Sequence, residues 1–315
     1  MRRLRLIPDK TNIKFMRGRF MGLIVSAVLS IASVILFFYP GLNYGVDFNG
    51  GIVIQVRMAK PANFATLRPA LNDLGLGDVQ LQQFGTPRDV LIRLEKQTAK
   101  DGEEHAVAVL RHEFATRYPG ADIQAVDAVG ATVSAQLFRD GLMAVGLALV
   151  AMLVYIWFRF EWQFGVGAVV TLILDVTKTI GFFAVVGLQF NLTSIAAILT
   201  IMGYSINDKV VVYDRVRENL RKFKTMPLRE LIDLSINETL NRTVNTSLTT
   251  FLATLPLALI GGSAIQGFAI TILFGIVVGT SSSIFIAAPI LLFLGQNRLR
   301  RGQPSENRVA DRTPA

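Results

Sequence analysis

Six stretches of nearly unbroken apolar side chains punctuate the chain, at residues 20–39, 142–158, 164–187, 192–212, 244–260 and 268–294. Each has, or approaches, the roughly 20 residues that an α-helix needs to cross a bilayer. Between the first two the pattern changes. Residues 51–58 (GIVIQVRM) alternate apolar and polar as a strand does, 63–74 follow a helical period, and 79–84 and 90–95 are short strands around Gly85-Thr86-Pro87-Arg88. An amphipathic helix at 103–118 and a strand at 123–129 complete the order β-α-β-β-α-β. This is the split βαβ, ferredoxin-like pattern, in which two helices cover one face of an antiparallel sheet. The fold class expected is a polytopic α-helical membrane protein with six transmembrane helices and an external α+β ferredoxin-like domain between helices 1 and 2.

Composition agrees with the spans. Of 315 residues, 51% are hydrophobic and 17% charged, against about 25% charged in an ordinary soluble protein. The net charge of +9 has three readings: nucleic acid, anionic lipid or membrane topology. Position decides among them. Basic residues crowd the N-terminal arm (Arg2, Arg3, Arg5, Lys10, Lys14, Arg17, Arg19), the stretch from Arg215 to Arg229, and the tail with Arg298, Arg300, Arg301, Arg308 and Arg312. The connections at 188–191 and 261–267 carry no charge. By the positive-inside rule both termini face the cytoplasm and the segment after the first span lies outside. That segment holds nine basic and eleven acidic side chains, so nucleic-acid binding is not expected. The first span is too long for a secretory signal and lacks a small-residue cleavage site, which makes it an uncleaved anchor. The resulting division is an arm (1–19), a first span (20–39), an external domain (40–138), spans two to six (139–294) and a polar, disordered tail (295–315).

With no cysteine, disulfides, thiolate metal sites and thiol nucleophiles are excluded. His105 and His112 share a helix face without further ligands, and no Walker loop, Gly-x-Ser-x-Gly elbow or HExxH occurs. Neither an enzyme nor a cofactor is expected. The chemistry lies in the ionisable groups at bilayer depth, which are costly there unless paired or hydrated. Asp175 and Lys178 are three apart and can pair within one helix. Asp208 and Lys209 interrupt the fourth span beside Ser205 and Asn207, with Lys209 able to snorkel to the interface. Arg242 opens the fifth span, followed by Asn245, Thr246, Thr249 and Thr250 at helical spacings, a polar stripe that must meet another helix or line a hydrated path. Asp208 and Arg242 lie at matching depth, roughly 26 Å from the outer connections, so a pair between them is feasible. The alternative for Arg242 is a boundary charge paired with Glu238. In the sixth span Thr271, Gly275, Gly279, Ser283 and Ala287 form a small-residue ridge for close helix packing.

Five stretches, taken together, resemble the bacterial SecD/SecF protein-export family, on its SecF side: 41–51 (GLNYGVDFNGG), 174–183 (LDVTKTIGFF), 201–219 (IMGYSINDKVVVYDRVREN), 237–250 (NETLNRTVNTSLTT) and 275–289 (GIVVGTSSSIFIAAP). The chain departs from the family pattern at Lys209, where many members carry a small hydroxyl residue, and at Leu174, where a His often precedes the Asp. The resemblance implies a half-transporter of the resistance–nodulation–division superfamily in the bacterial inner membrane, its external domain periplasmic. It implies SecD as obligate partner, with the SecYEG channel, YajC and YidC as further partners and an unfolded polypeptide as cargo. It also implies use of the proton-motive force in late translocation, with Asp208 and Arg242 as the proton-coupling residues, Asp175 as a weaker third, and Asn207, Asn245, Thr246 and Thr249 in support. Two rivals are a proton-driven small-molecule exporter of the same superfamily and a non-transporting membrane scaffold.

Overall fold

A computed structural model describes residues 11–76, 79–83, 85–94 and 102–295. The basic residues Arg2, Arg3, Arg5 and Lys10, the strand ends at Phe84 and Glu95, and the tail from 296 onward lie outside the described residues. Helix α1 (Arg19–Phe38) is followed by a two-residue strand β1 (Asn43–Tyr44) and a single turn α2 (Val46–Asn49). The external domain then runs β2 (Gly51–Arg57), α3 (Phe64–Asn72), β3 (Val79–Gln83), β4 (Asp89–Leu94), α4 (Gly102–Arg117) and β5 (Asp122–Val129). Its sheet has the order β3-β4-β2-β5 with every neighbour antiparallel, the arrangement expected of a split βαβ unit. Alternation places Ile52, Ile54 and Val56 against Leu67, Leu71, Leu110 and Phe114 of the helices. Val53 and Leu91, pointing the other way, meet Val46 of α2, so the centre of β2 is buried on both faces.

The remaining helices are α5 (Ala131–Arg159), α6 (Trp162–Val186), α7 (Leu192–Lys222), α8 (Leu228–Ile260), α9 (Gly262–Ser282), a π turn (Ser283–Ala287) and α10 (Ala288–Gly295), with strand β6 (Gln189–Phe190) between α6 and α7. Six helices are long and apolar enough to span a membrane; this is a multi-pass membrane protein. Three helices outrun the apolar stretches that signalled them. Helix α5 begins at Ala131, and α7 and α8 continue through polar sequence to Lys222 and from Leu228, where Arg159–Asp214 (2.7 Å), Arg215–Glu218 (2.6 Å) and Arg215–Glu238 (2.7 Å) knit their ends. The chain before α1 is tied there too: the Ile13 and Met16 amides donate to Asn237 and Asp233 at 2.9 and 2.8 Å.

In α1 the buried residues are Ser26, Ser30 and Ser33, while Phe20, Met21, Ile24, Leu29 and Ile31 are exposed. Close approach explains the choice. A Cβ on Gly181 of α6 would sit 2.7 Å from the Ser33 Cα, so this crossing is built from small groups. The ridge on α9 works likewise: Gly275 lies under Ile201, and a Cβ on Gly279 would meet the Ser205 Cβ at 3.2 Å.

The external domain is fastened to the bundle through residues 41–51. Strand β1 pairs with β6 in parallel, Asn43 Nδ2 donates to the Gly187 carbonyl at 3.1 Å, and the Gly45 amide donates to Phe190 at 2.8 Å. Asp47 accepts from the Leu192 amide at 2.9 Å, a carboxylate at the positive end of α7. Tyr44 and Phe48 pack edge-on or tilted against Phe138 and Phe190 with ring centroids 5.4–6.2 Å apart. Gly50 and Gly51 follow with φ of +70° and +108°, backbone that a side chain would strain.

Candidate functional site: a buried charge cluster and an outward guanidinium

Helices α6, α7 and α9 converge on Asp175, which is 0% exposed. Its Oδ2 accepts from Ser205 and Ser282 at 2.7 Å each and from the Lys209 ammonium at 2.9 Å. Its Oδ1 faces Lys178, one turn on, at 3.5 Å. Lys209 is also 0% exposed, and its Nζ donates to Ser205 Oγ and to Ser282 Oγ, the latter at 3.2 Å. The snorkelling expected of Lys209 is therefore corrected. Helix α7 runs on through Lys222, so position 209 is well inside the helix rather than at its end, and its side chain points inward one turn beyond Ser205. Two cations against one carboxylate, with two hydroxyls donating to the oxygen that Lys209 also holds, is how a charge survives away from water.

Asp208 is held differently. Its Oδ1 accepts from Thr243 at 2.6 Å and its Oδ2 accepts from Ser283; no cation among the described residues pairs with it. Ser282 and Ser283 are neighbours at the start of the π turn, so one irregularity in the last span gives a hydroxyl to each acid.

Arg242 does not meet Asp208 in this arrangement. Adjacent helical residues point about 100° apart, and in α8 it is Thr243 that turns toward α7, leaving Arg242 exposed with no ion pair or hydrogen bond to a described residue. Glu238 does not pair with it either, being taken by Arg215 and by Asn219, the latter at 2.7 Å. Asn245, Thr246 and Thr249 share the exposed face with Arg242, and Asn207 and Thr200 are exposed on α7. Asn245 donates to Asn241 at 2.9 Å and Thr249 donates back to the Asn245 carbonyl at 2.8 Å, so these two are partnered within their own helix along an open seam. Sequence reasoning missed the inward row Thr243, Ser247. Ser247 receives Tyr204 Oη at 2.8 Å and lies 2.7 Å from Thr280 Oγ1. The i, i+4 spacing was readable, but the outward stripe on the same helix was the longer signal. His105 and His112 are both exposed, and among the described residues no three His, Cys, Asp or Glu side chains group to hold a metal.

Two family models match the chain: "Protein export membrane protein SecD/SecF, C-terminal" over residues 109–297 and "SecD/SecF GG Motif" over 35–62. The chain belongs to the SecD/SecF family. The second match covers the 41–51 fastening described above. Among relatives of this family, the protein translocase subunit SecF of Rickettsia bellii is 43% identical over 95% of this chain and 98% of its own. Protein translocase subunit SecDF of Brucella abortus is 47% identical over 93% of this chain but 39% of its own. The crystal structure of SecDF from Thermus thermophilus, described as a translocon-associated membrane protein, superimposes on 91% of this chain with a TM-score of 0.83 at 35% identity. A SecDF crystal structure in a super-membrane-facing form gives a TM-score of 0.65 over the same share. This chain spans 39% of each solved SecDF chain.

Proposed function

We propose that this chain is the SecF-type half of a SecD–SecF assembly in the bacterial inner membrane, using the proton-motive force to promote late translocation and release of polypeptide passing through the SecYEG channel. Both termini are cytoplasmic, residues 40–138 are periplasmic, and YajC and YidC are further partners. Support for the partner comes from the fused relatives, in which a chain of this kind occupies about two-fifths of a longer SecDF protein.

The observation that carries the mechanism is the contrast among the three charges. Asp175 is clamped by two ammonium groups, Asp208 is held by two hydroxyls, and Arg242 projects from a polar seam on the outside of the bundle. A guanidinium in hydrocarbon needs an anion or water. Its partner is an acid of SecD, reached across the seam of Asn207, Asn245, Thr246 and Thr249. Protonation of that acid, or of Asp208 when the helices shift, removes an ion pair whose loss in low dielectric supplies a differential energy between two packings. The movement reaches the periplasmic domain because residues 41–51 are bonded to the α6–α7 connection. A polypeptide held outside is then kept from sliding back.

The test is export into inverted membrane vesicles, with and without a proton gradient, for Asp208→Asn and Arg242→Leu. Each should abolish the gradient-dependent part of export while leaving the ATP-driven part. Retention of gradient-dependent stimulation in both variants would end the proposal.

A further inference from the structure

Two apolar grooves flank the end of α9, one on its α1 side and one on its α8 side, and they share Ser281 and Phe285 as a common ridge. The first, about 310 Å³, follows α1 from Gly18 to Leu29 against Val278 and Ile286. The second, about 410 Å³, follows α8 from Val244 to Phe251 against Ile276 and Ile284. At 1.5 Å per residue they run about 16 Å and about 10 Å along their helices, the scale of one leaflet, ~15 Å, of a ~30 Å hydrocarbon layer. Their walls are almost wholly apolar, because the polar groups beside them are engaged elsewhere. The Lys178 ammonium faces Asp175 at 3.5 Å, Ser281 donates to the Val278 carbonyl at 2.9 Å, and Ser247 is bonded to Tyr204 and Thr280. Such walls suit hydrocarbon chains rather than water.

A third cavity, about 920 Å³, lies between the chain before α1 and the first turns of α8. Its lining precedes that of both grooves: it reaches Arg17 on one side, where the first groove begins at Gly18, and Glu238 on the other, less than two turns before Val244. Phe15 packs edge-on against Phe285 with ring centroids 6.1 Å apart, so this arm rests on the ridge between the grooves. Here the lining is charged. Lys14, Arg17 and Arg229 are exposed, and none makes an ion pair or a side-chain hydrogen bond with a described residue. Among the acids, Asp233 accepts from the Met16 amide and Glu238 is held by Arg215 and Asn219. Glu230 is the one acid of this lining with no partner among the described residues. The first turn of α8, which Pro227 leaves without a side-chain cap, adds its positive end. Unpaired cations at the head of two parallel apolar grooves are complementary to a molecule with one anionic head and two chains.

We propose that the three cavities form a binding site for one anionic diacyl phospholipid of the cytoplasmic leaflet, its phosphate among Lys14, Arg17 and Arg229 and its chains on either side of Ser281 and Phe285. The inference goes beyond the export role and rests on that reading only for orientation, which puts the basic end at the cytoplasmic surface. A lipid bound there braces α1 and α8 against the end of α9, next to the π turn that gives Ser282 and Ser283 to the two acids.

Native mass spectrometry of the purified full chain with SecD, titrated with phosphatidylglycerol or with phosphatidylcholine of the same chains, tests this. One phosphatidylglycerol should bind at least about tenfold more tightly than phosphatidylcholine, which about 1 kcal/mol for each of the cations supplies. Lys14→Gln/Arg17→Gln should bring the two lipids to within about threefold of each other. Ser281→Trp, at an exposed position lining both grooves, should weaken both lipids while SecD still co-purifies. Equal affinity of the unmodified chain for the two lipids overturns the inference. So does phosphatidylglycerol binding that survives Ser281→Trp, or that inorganic phosphate displaces as well as the lipid does, since either leaves only a surface cation cluster. Loss of SecD from Ser281→Trp overturns it as well, because the grooves then hold a partner helix. Orientation is read separately: the chain has no cysteine, and a membrane-impermeant maleimide should label Thr225→Cys in inverted vesicles. Labelling without lipid selectivity ends this inference and leaves the proposed function standing; labelling only from the opposite side overturns the orientation that both require.

Discussion

In the external domain the positions that β2 buries against the two helices are Ile52, Ile54 and Val56; in α1 of the bundle the buried positions are Ser26, Ser30 and Ser33. The same chain follows opposite rules in its two parts because the surroundings differ. Around the sheet, water makes apolar burial favourable at about 25 cal/mol per Å². Between membrane helices the alternative to a protein contact is a lipid tail as apolar as leucine, so that gain vanishes and close approach of small, hydrogen-bonding groups takes over. Charge follows the same division. Arg57 and Asp89 form an exposed pair at 2.7 Å on the sheet, whereas Asp175 and Lys209 are both 0% exposed.

The sharpest break of this comparison is removal of the buried anion. Asp175→Ala leaves two ammonium groups without their counter-ion, and the cost expected is up to about 5 kcal/mol. Heat unfolding of the purified chain in micelles, followed by Trp157 and Trp162 fluorescence, reads it. The double variant Asp175→Ala/Lys209→Met should be less destabilised than the sum of the two single changes, since the residues form one network; additivity would mean that the pair is not coupled.

Cavity formation separates the two parts next. Ile54→Ala in the domain core should cost about 3 kcal/mol, read by calorimetry as a lowered transition for the external domain. Leu147→Ala on α5, a side chain 70% exposed, should change stability by less than about 0.5 kcal/mol, because lipid fills the space. Equal effects would contradict the division.

The smallest effect is at the exposed pair. The hydrogen bond from Arg57, followed by that from the Thr86 hydroxyl, holds the Asp89 carboxyl below its ordinary value. The folded domain therefore gains stability that is fully present above the ordinary carboxylate value of about 3.9, and this share is lost as pH falls through the lower folded value. Solvent and salt keep it small. Asp89→Asn should flatten the acid side of the domain's melting temperature against pH, while leaving its value at pH 7 only slightly lower.

Much of this architecture was legible beforehand. The six spans follow from runs of apolar residues, and the β-α-β-β-α-β order from changes of period between 2 and 3.6 at Gly85-Thr86-Pro87-Arg88 and its like. The helix ends were less legible. Helix α7 continues ten residues past Val212 because contacts to α8, rather than lipid, stabilise its polar end. The site was legible as a set of residue types and hidden as a set of contacts. Asp175, Asp208 and Arg242 stand out in apolar surroundings, but a one-residue step turns a helical side chain by about 100°. That step makes Thr243, and not Arg242, the neighbour of Asp208, and sends Lys209 inward to Asp175.

The linear pattern of apolar and charged residues was enough to determine the membrane class, the number of spans, the place and topology of the external domain, and the short roster of intramembrane charges. These depend on length and period, which are one-dimensional quantities. Tertiary packing decided which charges meet: the rotation of α7 and α8 about their axes, the glycine that admits Ser205 beside α9, and the π turn that aims Ser282 and Ser283 at different acids. Each of these depends on azimuth and on contacts between residues 30 to 107 positions apart in the chain, and no local period records them.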